Sequence, residues 1–289
     1  MGMRPGSTGY AFRGLTIRRR SESVATVTAR TTKTVRGTLG AQQPEGPAAR
    51  HFADLVTGIV LVRLTMAPQL RVQGILRGRG RSGSLVADSH PNGSTRGLVT
   101  PGNDGPLDLG QGSILRVMRT LHDGRLHHGV VEVPDGGISN ALMTYMQISE
   151  QVTTMVAVGT SFDGDGVVAA GGYLVQLLPG ARRGPLMVMA ERLREFENIE
   201  GRLGDPGFSP ARLLEDLLYA MPYTTVGETD VRYECWCNSI GVISALSTLP
   251  REHVQSMIAD GQVLEIRCDY CGREYRVAPA ELRGLAETS

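Results

Sequence analysis

Every cysteine of the chain lies in its last fifth, in two close pairs. The stretch ECWCNSIG contains Cys235 and Cys237, and the stretch EIRCDYCGREY contains Cys268 and Cys271. A tetrahedral zinc site needs four soft ligands, each about 2.3 Å from the metal. A pair separated by one or two residues presents two sulfurs from one turn, and the segment 238–267 can bring the second pair round. The spacing therefore predicts that these four cysteines bind one zinc ion.

The cysteines could instead be buried structural thiols or form stable disulfides. Four independent core cysteines would rarely fall into two such pairs, and stable disulfides are uncommon in a reducing cytosol. Four thiolates would fill a tetrahedral zinc site and leave no position for a substrate, so we expect a structural metal. The sequence also contains no pairing of a nucleophile with a general base, so we expect no enzymatic activity.

The stretch GRGRSG, residues 78–83, formally matches the G-x-G-x-x-G pattern of dinucleotide-binding proteins. That pattern requires a helix immediately after it, because the helix N-terminus binds the pyrophosphate. Here SLVADS follows, which is typical of a strand. The glycines therefore indicate a hairpin turn, and we expect no nucleotide cofactor.

The rest of the chain predicts an α+β fold in three parts. Residues 1–183 alternate short strand patterns with a helix from Ala48 to about Met66, a helix at ISNALMTYMQIS (138–149) and a candidate short helix at TKTVRGTLGA (32–41). This pattern indicates an α/β domain with a mainly antiparallel sheet and packed helices. Residues 184–230 contain two short amphipathic helices, one of them with Ser209 as its N-cap, and we interpret them as a helical linker. Residues 231–289 form the small zinc-binding module.

Charge and hydropathy exclude several classes of protein. The 30 Lys and Arg residues balance 29 Asp and Glu residues, so no global field attracts nucleic acid or a membrane. No apolar run approaches the roughly 20 residues that span a bilayer. The first 44 residues are basic, but the RRR run is followed by polar alternation rather than the apolar segment of an export signal. We expect a cytoplasmic protein.

The cysteine spacing, together with ISEQ (148–151) and GGYLVQLLPGA (171–181), resembles the bacterial 33-kDa heat-shock protein family. Members of this family are redox-regulated holdase chaperones with an α/β domain, a helical linker and a C-terminal zinc module. The resemblance implies that the four cysteines are thiolate ligands of one Zn²⁺ per chain. It also implies that oxidation forms the disulfides Cys235–Cys237 and Cys268–Cys271 and releases the zinc.

The same resemblance implies a function under oxidative stress. The oxidised protein would bind unfolded or partly unfolded proteins and prevent their aggregation, and it could form a homodimer. We expect no specific nucleic acid partner and no membrane partner.

Two features depart from the family pattern. Trp236 lies between the first two cysteines, and the ten residues after Cys237 contain no Lys or Arg. Cations next to a thiolate favour its reactive charged form, and Arg267 and Arg273 flank the second pair. We therefore expect Cys268 and Cys271 to oxidise before Cys235 and Cys237.

Two alternative functions remain open from the residues alone. A zinc ribbon that binds nucleic acid needs a basic face. In this module, four acidic side chains balance the positive charge of four arginines. The arginines are Arg232, Arg267, Arg273 and Arg276, and the acids are Glu234, Glu265, Asp269 and Glu274. A thiol oxidoreductase could use the C-x-x-C pair, but that motif normally opens a helix after a strand. Here it lies between two strand patterns.

Overall fold

The computed structural model describes residues 13–21, 23–80, 82–103, 107–121, 124–164, 166–181 and 183–288. The chain divides into two compact units, Met1–Glu234 and Cys235–Ser289.

A large sheet forms the framework of the first unit, and among the described residues it has ten strands. The strands are β1 (Arg13–Arg20), β2 (Val24–Arg30), β3 (Val72–Arg77), β4 (Gly83–Ser89), β5 (Ser94–Pro101), β6 (Ile114–Thr120), β7 (Leu126–Glu132), β8 (Thr154–Asp163), β9 (Gly166–Leu177) and β10 (Thr224–Tyr233). Their order is β7-β6-β3-β4-β5-β10-β1-β2-β9-β8. All neighbours are antiparallel except β10 and β5, which form a short parallel contact at Arg232–Ser94 and Tyr233–Thr95. The mainly antiparallel sheet of the prediction is confirmed.

Three helices cover one face of this sheet: α1 (Thr32–Gln42), α2 (Pro47–Thr65) and α3 (Gly137–Ile148). Helix α2 begins with Pro47 at a first-turn position, where its missing N–H costs no hydrogen bond. Residues 55–64 of α2 are all buried, so this helix is the centre of the main core. Gly58 is needed there because a Cβ would overlap the side chain of Leu142 on α3.

Three further helices cover the other face: α4 (Arg183–Glu195), α5 (Ile199–Leu203) and α6 (Pro210–Leu217). Their apolar side chains form a second core with residues of β2, β8 and β9, including Tyr173. Hydrogen bonds attach the start of α6 to β2: Thr28 Oγ1 donates to the Pro210 carbonyl at 2.9 Å, and Arg30 Nη1 donates to the Phe208 carbonyl at 3.2 Å. Ser209 is the N-cap of α6, as the sequence predicts.

Strand β10 follows α6 and was not predicted from the sequence. Its residues Glu228, Thr229 and Asp230 are polar on both faces of the strand, so the period-two alternation of a half-buried strand is missing. Backbone pairing with β1 along its whole length determines its conformation instead.

The second unit contains α7 (Ser239–Leu246), α8 (Arg251–Ala259), β11 (Leu264–Arg267), β12 (Glu274–Val277) and α9 (Pro279–Thr288). Strands β11 and β12 form an antiparallel hairpin, in which Ile266 pairs with Tyr275. This hairpin is the one that the sequence EIRCDYCGREYRV predicts. Its buried apolar residues are few among those described: Val254, Val277 and Leu282. Such a small core does not by itself stabilise a folded module.

Candidate metal centre

The four cysteines of the second unit converge on one point. Their Sγ atoms all lie within 4.8 Å of one another. The Cys235 and Cys268 sulfurs are 3.8 Å apart, and the Cys237 and Cys271 sulfurs are 3.4 Å apart. Four sulfurs at about 2.3 Å from a tetrahedral zinc ion would be separated by roughly 3.8 Å. The donor set therefore fits zinc in both its chemistry and its dimensions.

The turn between β11 and β12 positions the second cysteine pair. The Cys268 carbonyl accepts hydrogen bonds from the N–H groups of Cys271, at 3.3 Å, and Gly272, at 2.7 Å. The Cys268 N–H donates to the Arg273 carbonyl at 2.8 Å, which closes the hairpin. Gly272 has φ of +73°, a left-handed conformation that residues with a Cβ rarely adopt.

The start of α7 positions the first pair. Asn238 follows Cys237 directly and caps the helix, since its Oδ1 accepts a hydrogen bond of 2.7 Å from the Gly241 N–H. An Asn at this position satisfies one of the free N–H groups of the first helical turn. Asn238, which begins the stretch without Lys or Arg, thus has a local structural role.

The four thiols are half-buried, and none of them forms a disulfide. The phenol O–H of Tyr275 donates a hydrogen bond of 3.1 Å to Cys237 Sγ. Burial acts to raise the pKa of Cys237, but hydrogen bonds from Tyr275 and from the other thiols outweigh it and lower that pKa to about 7. Burial raises the pKa of Cys268, and it raises the pKa of Cys271 to about 12.

Comparison with known proteins identifies the family. Residues 17–278 match the family described as Hsp33 protein. The chain belongs to the Hsp33 family. A relative described as a 33 kDa chaperonin, from Syntrophotalea carbinolica, is 28% identical in an alignment 266 residues long that covers 88% of this chain and 92% of the relative. Another, from Synechococcus sp. strain JA-3-3Ab, is 30% identical in an alignment 271 residues long that covers 86% of this chain and 84% of the relative.

A solved structure agrees with the Hsp33 assignment at the level of the fold. The crystal structure of the 33 kDa chaperonin from Thermotoga maritima has a TM-score of 0.79 to this chain, with 23% sequence identity. The match covers 96% of this chain and 98% of that one.

The other motifs of this Hsp33 chain lie away from the cysteines in sequence and form no comparable cluster in the described part of the chain. The GRGRSG stretch is the turn between β3 and β4, as predicted, with the Gly78 N–H bonded to the Gly83 carbonyl at 3.0 Å. The sequence does not predict a second metal site at the neighbouring His122, His127 and His128, nor a calcium loop at the DGDG stretch, residues 163–166. His127 and His128 lie on β7, whereas His122 and Asp165 fall outside the described residues. No described helix has the length and apolar character needed to cross a membrane.

The structure also bears on the two alternative functions. The C-x-x-C pair lies in a hairpin turn rather than at the start of a helix, unlike the motif of thiol oxidoreductases. Arg276 pairs with Glu265 at 2.8 Å, so part of the basic charge of the module is balanced locally. Sequence reasoning missed Tyr275, which belongs to the site through its contact with Cys237.

Proposed function

We propose that the chain is a redox-regulated holdase chaperone of the cytoplasm, which binds unfolding proteins without nucleotide and acts under oxidative stress. The observation that carries this proposal is the cluster of four free thiols in a member of the Hsp33 family. The relatives described as chaperonins support the chaperone activity.

In this proposal Cys235, Cys237, Cys268 and Cys271 hold one Zn²⁺ per chain. These residues lie before α7 and in the β11–β12 turn, so a metal that they held would connect the two segments and would contribute folding free energy, typically about 10–16 kcal/mol in small zinc modules. The second unit depends on this contribution because its buried apolar core is small.

Oxidation of the thiolates removes the ligands. Hydrogen peroxide oxidises one thiolate to a sulfenic acid and is itself reduced to water or hydroxide. A second thiolate then attacks the sulfenic sulfur, so that the S–S bond forms as the S–O bond breaks, and the hydroxide that leaves takes up a proton from solvent to become water. Each of the two disulfides consumes one peroxide in this way. The disulfides Cys235–Cys237 and Cys268–Cys271 would carry no negative charge and would offer no thiolate to a zinc ion, so the second unit would lose the stabilisation that a bound metal supplies and would unfold.

Client proteins would bind apolar surface on α4 and α6. Apolar side chains on α4 and just after α6 are already exposed, since Met187 is 74% exposed and Tyr219 is 73% exposed. A cavity of about 360 Å³ next to them is lined by Val188, Met221 and Pro222, among others. The inner sides of the same helices, with Leu193, Phe196, Leu213 and Leu217, are buried on the sheet and would become accessible if the helices detached.

The proposal is tested with reduced and peroxide-treated protein. Zinc content is measured in both samples, together with suppression of the aggregation of heat-unfolded citrate synthase. We expect one zinc per chain and little suppression in the reduced sample, and loss of zinc with strong suppression in the oxidised one. A variant with all four cysteines replaced by serine is the control for direct peroxide effects on the client. Equal suppression by the reduced and oxidised samples would contradict redox regulation.

A further inference from the structure

Tyr275 contacts the metal centre from outside the set of four ligands. It is the second residue of β12 and pairs with Ile266 across the hairpin, so the strand backbone determines its position. Its phenol oxygen lies 3.1 Å from Cys237 Sγ, and its O–H donates to that sulfur. A hydrogen bond to a charged acceptor is stronger than one between neutral groups.

Arg273 extends this contact. It lies two residues before Tyr275, and its exposed guanidinium hydrogen-bonds the Tyr275 phenol. A phenol whose oxygen accepts a hydrogen bond from a cation becomes a better donor through its own O–H, because linked hydrogen bonds polarise one another. The contacts from Arg273 through Tyr275 to Cys237 thus bring positive charge to the first cysteine pair. The ten residues that follow this pair in sequence contain no Lys or Arg.

We infer that Tyr275 is a positioning residue of the metal centre, which orients the Cys237 sulfur and withdraws electron density from it, with Arg273 strengthening the effect. This inference rests on the proposed function, since it requires that Cys237 binds a metal. The β11–β12 hairpin would then supply Cys268 and Cys271 and would also orient Cys237 through Tyr275.

The consequence concerns the reactivity of the bound sulfur. A thiolate that binds a metal has already lost its proton, so its rate of attack on an oxidant depends on the electron density that remains on sulfur. The Tyr275 hydrogen bond lowers that density and protects Cys237 while the metal is bound. Loss of an outer partner of a ligand also weakens metal binding, typically by 10–100-fold.

The test uses the full-length chain loaded with Co²⁺, because the sulfur-to-cobalt charge-transfer absorption reports the electron density on the ligands. We expect Tyr275→Phe to move this band to longer wavelength and to weaken cobalt binding about tenfold. In the zinc-loaded protein, Cys237 of the same variant should react faster with N-ethylmaleimide, as measured by mass spectrometry of each cysteine.

Two arginine variants provide the matched comparison. Arg273→Gln should move the charge-transfer band in the same direction as Tyr275→Phe, by a smaller amount. Arg276→Gln should leave it unchanged, because Arg276 is on the opposite face of β12 and pairs with Glu265 at 2.8 Å.

The outcomes separate this inference from the proposed function. A wild-type chain that binds neither Co²⁺ nor Zn²⁺ would overturn the proposed metal site. A wild-type chain that binds metal, with an unchanged band and an unchanged Cys237 reaction rate in Tyr275→Phe, would overturn the role of Tyr275 alone. If Tyr275→Phe retains no metal, Arg273→Gln decides: a shifted band supports the inference and an unshifted band overturns it.

Discussion

Gly272 shows how the metal centre depends on a single backbone conformation. Its φ of +73° lets the chain reverse directly after Cys271, and an added Cβ would lie 3.0 Å from Arg267 Nη2. Strain of this kind costs on the order of 1–3 kcal/mol at one residue. The C-x-x-C-G stretch predicts the turn, but the contact with Arg267 depends on the folded hairpin.

We expect Gly272→Ala to weaken zinc binding about tenfold, because a residue that resists the left-handed conformation disorders both sulfurs of the second pair. Competition with a colorimetric chelator measures the affinity. Gly241→Ala is the control, since Gly241 is in α7 and its added Cβ would make only an ordinary contact with Asn238. Equal affinities in the two variants would contradict the importance of the turn.

Asp54 on α2 gives the first unit a pH-dependent stability. Burial raises the pKa of its carboxyl to about 6, although Thr160 Oγ1 donates a hydrogen bond to it at 2.8 Å. The unfolded chain has an ordinary Asp pKa near 3.9, so the native state prefers the protonated form. The contribution of Asp54 to stability is therefore full below about pH 4 and is lost as the pH rises to about 6.

Asp54→Asn should remove this loss. We compare the free energy of unfolding of Asp54→Asn with that of wild type, and this difference should rise by about 1–2 kcal/mol between pH 4 and pH 7. The expected rise is smaller than a pKa shift of two units would give, because the side chain keeps some solvent contact. Urea titrations of both proteins at several pH values measure the difference. A difference that stays constant or falls over this range would contradict the role of Asp54.

The buried side of helix α6 stabilises the first unit, and in the proposed function it would bind clients if the helix detached. Leu217 is fully buried between α6 and the sheet, whereas Met187 on α4 is 74% exposed. Leu217→Ala should lower the free energy of unfolding by about 2–5 kcal/mol, and Met187→Ala should change it by less than about 0.5 kcal/mol.

The same two variants should affect chaperone activity in opposite ways. Leu217→Ala loosens α6 and should give partial suppression of aggregation without oxidation. Met187→Ala removes exposed apolar surface and should weaken suppression by the oxidised protein. If Leu217→Ala is destabilised but inactive when reduced, detachment of α6 does not supply the client surface.

Among the elements, those with a clear period or turn signal were predictable from the sequence. Helix α2 has a long apolar pattern ended by Pro68, and the β4–β5 hairpin has the Asn92-Gly93 turn. Strands β1 and β10 were missed because neither sequence shows a clear alternation of apolar and polar residues. Backbone pairing determines both strands instead, since β1 pairs with β10 on one side and with β2 on the other. The four cysteines were predictable from spacing, whereas Tyr275 depends on hairpin register and on its contact across to Cys237.

At the scale of the whole molecule, the sheet depends on a strand far from its other members in sequence. Strand β10 lies between β1 and β5, and it follows all three helices of the second face. A fragment ending at Glu234 keeps every described strand of the sheet and both cores, whereas a fragment ending at residue 183 loses β10, α4, α5 and α6.

We therefore expect the fragment 1–234 to unfold cooperatively by heat in the presence of a metal chelator, because none of its core depends on the cysteines. The fragment 1–183 should bind a hydrophobic dye, since it exposes Tyr173 and its neighbours on β9. Calorimetry and dye fluorescence distinguish the two. A non-cooperative transition of the longer fragment would show that the first unit needs the second.

We propose that oxidation of the four-thiol centre switches the chaperone on. The most direct test of this proposal is a single peroxide time course on the reduced, zinc-loaded full-length chain, in which released zinc and suppression of citrate synthase aggregation are measured in the same samples. We expect released zinc and suppression to rise together, and a thiol reductant with added zinc to reverse both. Full suppression while all four cysteines still hold zinc, or complete zinc release without any suppression, would contradict the proposal.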